Sequence, residues 1–417
     1  MEKTTAELFA ERQKRVKDAI ELKVPDRVPF SPLFNFFPAH YAGISCREFM
    51  YDYDRLAMAL KKVHLDLQPD TYSDTFRSFA LGPVLEALDY KQLKWPGHGL
   101  TQDGTYQFVE GEYITAEEYD AFLFDPSDFI LRIFYPRVFG TLAPLKMLPY
   151  LPMSYSYTRV LPLMASLASP EFDSACTSLV RAANEALKAM KKALELGKEM
   201  EALGFPRQFG SAALAPYDYI GDFFRGTKGI MLDMYRNPDK LLEALEKVTQ
   251  IMIKGSLSVP KMPGVHRVFI PLHKGLDGFM SQEQFKTFFW PSLKKLMMVL
   301  IEAGFIPNPL WEGDCTSRLE IIADMPKGKC VYWFERSDVF KAKAILGGHI
   351  CIEAGLPSSL LITGTPNDVK AYSKKLIDVV GKKGGLIING DVGIPDEAKI
   401  ENVRAMAEFV REYGVYN

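Results

Sequence analysis

Short strand-like apolar runs alternate with long helical patterns along most of this chain. That alternation constrains the fold more than any other feature. The runs lie near 26–30, 70–74, 207–214, 266–273, 305–313, 329–335, 349–355 and 384–391. Between most of them lie helical stretches such as 173–203 and 238–257. Eight strands with intervening helices predict an α/β fold, a (β/α)8 barrel. Such a barrel needs about 250 residues. The chain has 417. The surplus is expected as one large insertion after the second strand, at about residues 75–172. Its aromatics, glycines and prolines read as a lid or partner-docking surface, so residues 1–417 form a single barrel domain. A deletion of this insertion is expected to leave a folded, inactive barrel.

Composition narrows the function. Hydrophobic residues make up 47% and aromatics 12%, enough for a large core. The net charge is −2, with both signs interspersed. A nucleic-acid groove needs a basic face, so no nucleic-acid partner is expected. No run reaches about 18 apolar residues, so no membrane span is implied. Residues 1–20 read as a charged amphipathic helix without the apolar stretch of a secretion signal. Five scattered cysteines suggest a reducing cytoplasm, with thiols serving as core residues or ligands. Monomer and homodimer both stay open.

A barrel of this kind carries its chemistry at the C-terminal ends of its strands. Those ends supply His273, Glu312 with Asp314 and Cys315, Glu335, Cys351 with Glu353, and Asp391. Acids, thiols and an imidazole from successive strands can coordinate a divalent metal. Each also has a plainer reading. Asp314, Cys315 and Thr316 could cap the next helix. Cys330 reads as a small buried hydrophobe. Cys351 and Glu353 alternate and so share a face, with Glu353 at the rim if that face is inward. His273 could be a loop histidine, and His64 reads as a helix-surface residue. Phosphate-binding glycine loops, the G-x-S-x-G elbow, C-x-x-C and H-E-x-x-H are all absent from the sequence.

Four stretches carry a resemblance: "VPDRVPFSPLFNFFPAHYAGISCREFMYD", "FFWPSLKKLMMVLIEAGF", "FERSDVFKAKAILGGHICIEAGLPSSLLITGTPNDVKAY" and "GGLIINGDVGIPDEAKIENVRAMAEFVREYG". They resemble the uroporphyrinogen decarboxylase superfamily, whose members adopt a (β/α)8 barrel. One branch decarboxylates uroporphyrinogen through an arginine-rich motif after the first strand. The matching "SPLFNFFPAHYAG" has no arginine and three phenylalanines. The other branch comprises zinc-dependent methyltransferases that work with corrinoid proteins. Against their metal motif, Glu312 falls at a cysteine position and Asp391 at or beside another.

The resemblance therefore implies a corrinoid-dependent O-demethylase component. It would move a methyl group from a methoxylated aromatic to cobalamin carried by a partner corrinoid protein. Zinc is expected on Glu312, Cys351 and Asp391, with Glu335 an alternative to Cys351. Glu312 and Glu335 are the expected catalytic acids. Phe34, Phe36, Phe37, Tyr41 and His273 are expected to hold the small methylated substrate. The alternatives are methyl transfer from a methylcorrinoid to coenzyme M or tetrahydrofolate, and a decarboxylase-like lyase.

Overall fold

The computed structural model describes residues 3–258, 264 and 266–416. The first two residues of the expected N-terminal helix lie outside the described residues. Six parallel strands pair in chain order: Ser211–Ala212, Arg267–Leu272, Ile306–Trp311, Val331–Phe334, Cys351–Leu356 and Leu386–Gly390. Two shorter extended segments close the ring. Residues 28–31 join the last strand through Ser31 N–H to Ile388 O and Ile388 N–H to Pro29 O, both 2.9 Å. Residues 70–73 bridge this segment to the third strand. Asp70 N–H donates to Phe30 O (2.7 Å), and Gln208 N–H to Tyr72 O (2.9 Å). The result is an eight-membered parallel barrel, with each strand within a few residues of its expected place.

Alternation along each strand sorts side chains between helices and barrel interior. On the fourth strand Val268, Ile270 and Leu272 join the main apolar core. Arg267 and Phe269 point the other way. Arg267 reaches Glu353 across the interior at 2.5 Å, and Asn389 Nδ2 donates to the other Glu353 oxygen at 2.8 Å. Arg267 Nε donates to Asn308 Oδ1 at 2.8 Å. A polar layer thus crosses the middle of the barrel, and Glu353 sits within it rather than at the rim. Burying that carboxylate is tolerable because both oxygens have partners.

Helix Thr5–Ile20 covers the N-terminal floor, its start fixed by a capping box of Thr4 and Glu7. Its Val16, Ala19 and Ile20 pack on Val331, Cys351 and Ile387. Arg15 (2.6 Å) and Arg27 (2.7 Å) both pair with the buried Asp70, tying this helix to the first two segments.

The insertion is woven into the barrel. Ile114, Tyr119, Phe122, Phe129, Phe134 and Val138 belong to the main core. Phe122, Phe129 and Phe134 surround Phe224, with ring centroids 5.3, 6.3 and 4.9 Å away. Deleting 75–172 would remove these rings from the main core. Part of the segment reaches a cavity, which Phe79, Thr105 and Tyr106 help to line. His64 is also corrected. It is fully buried, its Nδ1 on Leu60 O (2.6 Å) and its Nε2 accepting Ser73 N–H (3.0 Å). Burial pushes its pKa down to about 4.

Candidate active site

The strand-end rule brings three of the expected residues to one place. His273 follows the fourth strand, Glu312 the fifth and Glu335 the sixth. His273 Nε2 lies 3.6 Å from a Glu312 oxygen. Glu335 accepts the Gly313 N–H at 2.5 Å, which fixes the turn behind Glu312. That turn needs φ +76° at position 313, a left-handed conformation suited to glycine.

Two acids and a lysine that sequence reasoning missed complete the cluster. Helix Pro216–Asp218 runs into a π-helical segment, Tyr219–Arg225. Wide turns of this kind often mark functional sites. Here the wide turn carries Asp222 onto His273 Nδ1 at 2.6 Å and onto Lys274 Nζ at 2.6 Å. Gly221 leaves room for Lys274, since a Cβ there would meet the lysine chain at 2.7 Å. Asp218 is wholly buried, and its two oxygens accept the backbone N–H groups of His273 (2.9 Å) and Lys274 (3.0 Å). The signal was available: Asp218 and Asp222 follow the expected third strand, as His273 follows the fourth.

This geometry sets the protonation states. Burial opposes charge on His273, but the Asp222 hydrogen bond and the charges of Asp218 and Glu312 outweigh it, raising its pKa to about 9. Burial also works against Asp222, yet His273 and Lys274 hold its pKa below the ordinary value. Burial raises Glu312, opposed by His273 and aided by Glu335 and Asp222. Burial and the charge of Asp222 raise Asp218 to about 7. Around neutral pH the site presents an imidazolium whose Nδ1–H is anchored on Asp222 and whose Nε2–H faces Glu312. It can deliver a proton to a leaving group at the mouth.

The expected metal set does not assemble. Cys351 opens its strand, and its side chain packs at the barrel floor, away from the mouth. Asp391 is at the mouth, but both oxygens are in use. One accepts Ser358 N–H (2.7 Å), the other Ser358 Oγ–H (2.6 Å) and Val392 N–H (2.8 Å). Among the described residues no three His, Cys, Asp or Glu side chains come together as metal ligands. Asp314 follows the plainer reading, its Oδ1 accepting Thr316 N–H at 2.8 Å. Cys315 is buried, which pushes its thiol pKa up.

A cavity of about 540 Å³ opens beside the first four strands. Phe36, Phe79, Tyr106, Phe209 and Phe269 give it an aromatic wall. Phe269 reaches this cavity from the fourth strand, whereas His273 follows that strand's end and is not among the cavity's lining residues. Of the expected aromatics only Phe36 lines this cavity. Phe34 and Phe37 are buried against each other, with centroids 6.0 Å apart, and Tyr41 packs on Phe37. They are buried in the main apolar core and are not among the residues that line this cavity.

The comparisons agree with this architecture. A family model described as uroporphyrinogen decarboxylase (URO-D) matches residues 164–413. The uroporphyrinogen decarboxylase of Chlorobium phaeovibrioides (strain DSM 265 / 1930) is 28% identical over 234 residues, 55% of this chain and 64% of that protein. That of Chlorobium luteolum (strain DSM 273 / BCRC 81028 / 2530) is 25% identical over 184 residues, 43% of this chain and 51% of that protein. The matches thus span less than two thirds of these relatives. Among solved structures, a methyltransferase from Methanosarcina mazei superposes with a TM-score of 0.60 at 14% identity. That match covers 96% of this chain and 98% of the other, a likeness of fold. With its barrel closed and its matched segment running from 164 to 413, the chain belongs to the uroporphyrinogen decarboxylase (URO-D) family.

Proposed function

We propose that this chain moves a methyl group from a methoxylated aromatic compound to the reduced cobalt of a partner corrinoid protein. The observation that supports this most is His273, held between Asp222 and Glu312 at the strand ends of a barrel that also carries an aromatic cavity. Phenolate leaves an aryl ether badly, so an acid at the ether oxygen is the help this reaction needs. The partner's cobalt is the methyl acceptor and therefore a substrate. Its electron pair forms the new bond to the methyl carbon. The O–CH3 bond breaks with its electrons on oxygen, and His273 Nε2 gives that oxygen a proton. Asp222 holds the ring in place and favours its charged form; Glu312 keeps Nε2–H turned to the mouth.

Zinc was the expected electrophile. The donors His273 Nε2 and Glu312 suit it in kind, but the described residues supply no third ligand. A zinc ion would also occupy the atoms that hold and orient the proton. The two routes therefore exclude each other, and no step of the proton route runs through a metal. Metal analysis of chelator-free protein separates them. The proton route predicts equal methyl transfer with and without chelator. One zinc per chain, lost in Glu312→Gln, would replace it.

The decarboxylase reading has the curated relatives on its side. It needs cations for eight carboxylates, and among the described residues the cavity wall offers one arginine, Arg77. The assay is direct. With a methoxylated aromatic and a reduced corrinoid protein, phenol and methylated cobalt should appear in equal amounts. Carbon dioxide from uroporphyrinogen, with no cobalt methylation by any ether, would overturn the proposal.

The pH dependence follows from His273. Its acid form persists below about 9 and is lost above it. The rate should therefore fall as pH rises through that value, provided the corrinoid acceptor is saturating. A pH–rate profile flat from 7 to about 10 would remove His273 from the acid role.

A further inference from the structure

We infer that the outer face of helix Pro170–Ala202 docks a partner protein through an amphipathic helix whose apolar stripe is bordered by acidic side chains. The helix runs for 33 residues and carries two apolar stripes. The first is covered. Ala175, Ala182, Ala189 and Leu196, each seven residues from the next, are buried. The second is open. Cys176, Val180, Ala183, Leu187, Met190 and Leu194 follow one another at steps of four, three, four, three and four, the spacing of a coiled-coil seam. They lie roughly a third of a turn round the helix from the covered stripe.

This seam faces water. Val180 is 62% exposed, Leu187 69%, Met190 42% and Leu194 47%. Ala183 is exposed and Cys176 half-buried. The stripe runs for about 27 Å along the helix axis, at 1.5 Å per residue. A helix that met only solvent here would form as well with Lys or Glu at these positions. A contiguous exposed apolar stripe of this length marks a contact surface, and a second helix laid along it is the occupant its spacing fits.

Charge says which helix. The positions beside the seam on its solvent side are Thr177, Asn184, Lys191 and Lys198, all exposed, with no acid among them. Lys191 and Lys198 make no ion pair among the described residues. Lys188 and Lys192 of the same helix do, with Glu185 and Asp54. Glu195 lies further round the helix and pairs with neither free lysine among the described residues. In a pair of helices such flanking positions meet those of the partner and select it by charge. A second copy of this chain would bring the same four residues and give the lysines no carboxylate. A partner helix with Glu or Asp at its facing positions pairs with both.

Anisotropy titrations of the full chain test this with two labelled three-heptad peptides. Both carry Leu along the seam; one has Glu and the other Lys at every flanking position, so that neither pairs with itself. Wild type should bind the Glu peptide about tenfold or more tightly than the Lys peptide. Lys191→Glu with Lys198→Glu should reverse that order. Leu187→Gln with Leu194→Gln leaves every charge in place and should weaken the Glu peptide by about tenfold or more, since two leucines then lose their burial. All four positions are exposed, so both variants should keep the wild-type circular dichroism and melting temperature. Equal binding of the two peptides by wild type, an order unmoved by the charge reversal, or binding indifferent to the Gln pair would each overturn the assignment. So would sedimentation of the full chain as a dimer that the Gln pair dissolves, which gives the face to a second copy. Cosedimentation with phosphatidylserine vesicles that the Gln pair abolishes would overturn it too, giving the face to a membrane.

Discussion

Replacing His273 by Gln should slow methyl transfer by about 10²- to 10⁴-fold, the contribution of a placed general acid. Gln retains a polar side chain of similar reach but cannot supply a proton near neutral pH. The loss should fall on the bond-breaking step, because the aromatic wall that holds the substrate is untouched. Single-turnover kinetics with saturating ether and reduced cobalamin would read that step. A second substitution separates acid from scaffold. Asp222→Asn keeps a hydrogen bond to Nδ1 but removes the charge that raises the His273 pKa. Its rate should therefore begin to fall at a lower pH than wild type. His273→Gln protein that transfers methyl at the wild-type rate would leave the cluster without a catalytic role.

Glu353→Leu should destabilise the barrel by about 3–5 kcal/mol, the cost of leaving one partner of a buried ion pair alone. The change strands Arg267 in the barrel interior and leaves Asn389 Nδ2 without its acceptor. A cation without its partner there faces a desolvation penalty that the neutral Asn308 and Ser31 offset poorly. Urea unfolding would show a lower midpoint with the slope unchanged. The double variant Arg267→Met with Glu353→Leu should recover much of the loss, because removing both charges is milder than removing one. A Glu353→Leu midpoint equal to wild type would show that the ion pair contributes nothing to the barrel.

The barrel was legible because its signal is repeated. Eight apolar runs, each near a helical stretch, survive errors of a residue or two at every boundary. His273, Glu312 and Glu335 were legible because chain order and strand polarity place them at one end. The misses have separate physical causes. Cys351 shares a face with Glu353, but alternation tells which face and says nothing of height in the barrel. Cys351 begins its strand and so belongs to the floor. Asp222 depends on a π-helical turn, and no 3.6-residue pattern shows where such a turn aims a side chain. The pairing of Arg267 with Glu353 joins positions 86 residues apart. Phe34, Phe36 and Phe37 looked alike in sequence. A bend ahead of helix Phe37–Ala42 turns Phe36 alone to the cavity. His64 was misread because Lys61, Lys62 and Asp66 surround it, although Leu56, Leu60, Val63 and Leu67 place it on the buried stripe.

The most direct measurement is a single turnover with an aryl ether whose methyl group carries deuterium, mixed with this protein and a stoichiometric amount of cob(I)alamin. Mass spectrometry would follow the label and absorbance would follow the cobalt. The account predicts deuterated methylcobalamin and unlabelled phenol in equal amounts, formed rapidly by wild type and barely by His273→Gln. Phenol released without label on cobalt, or the same rate from both proteins, would contradict it.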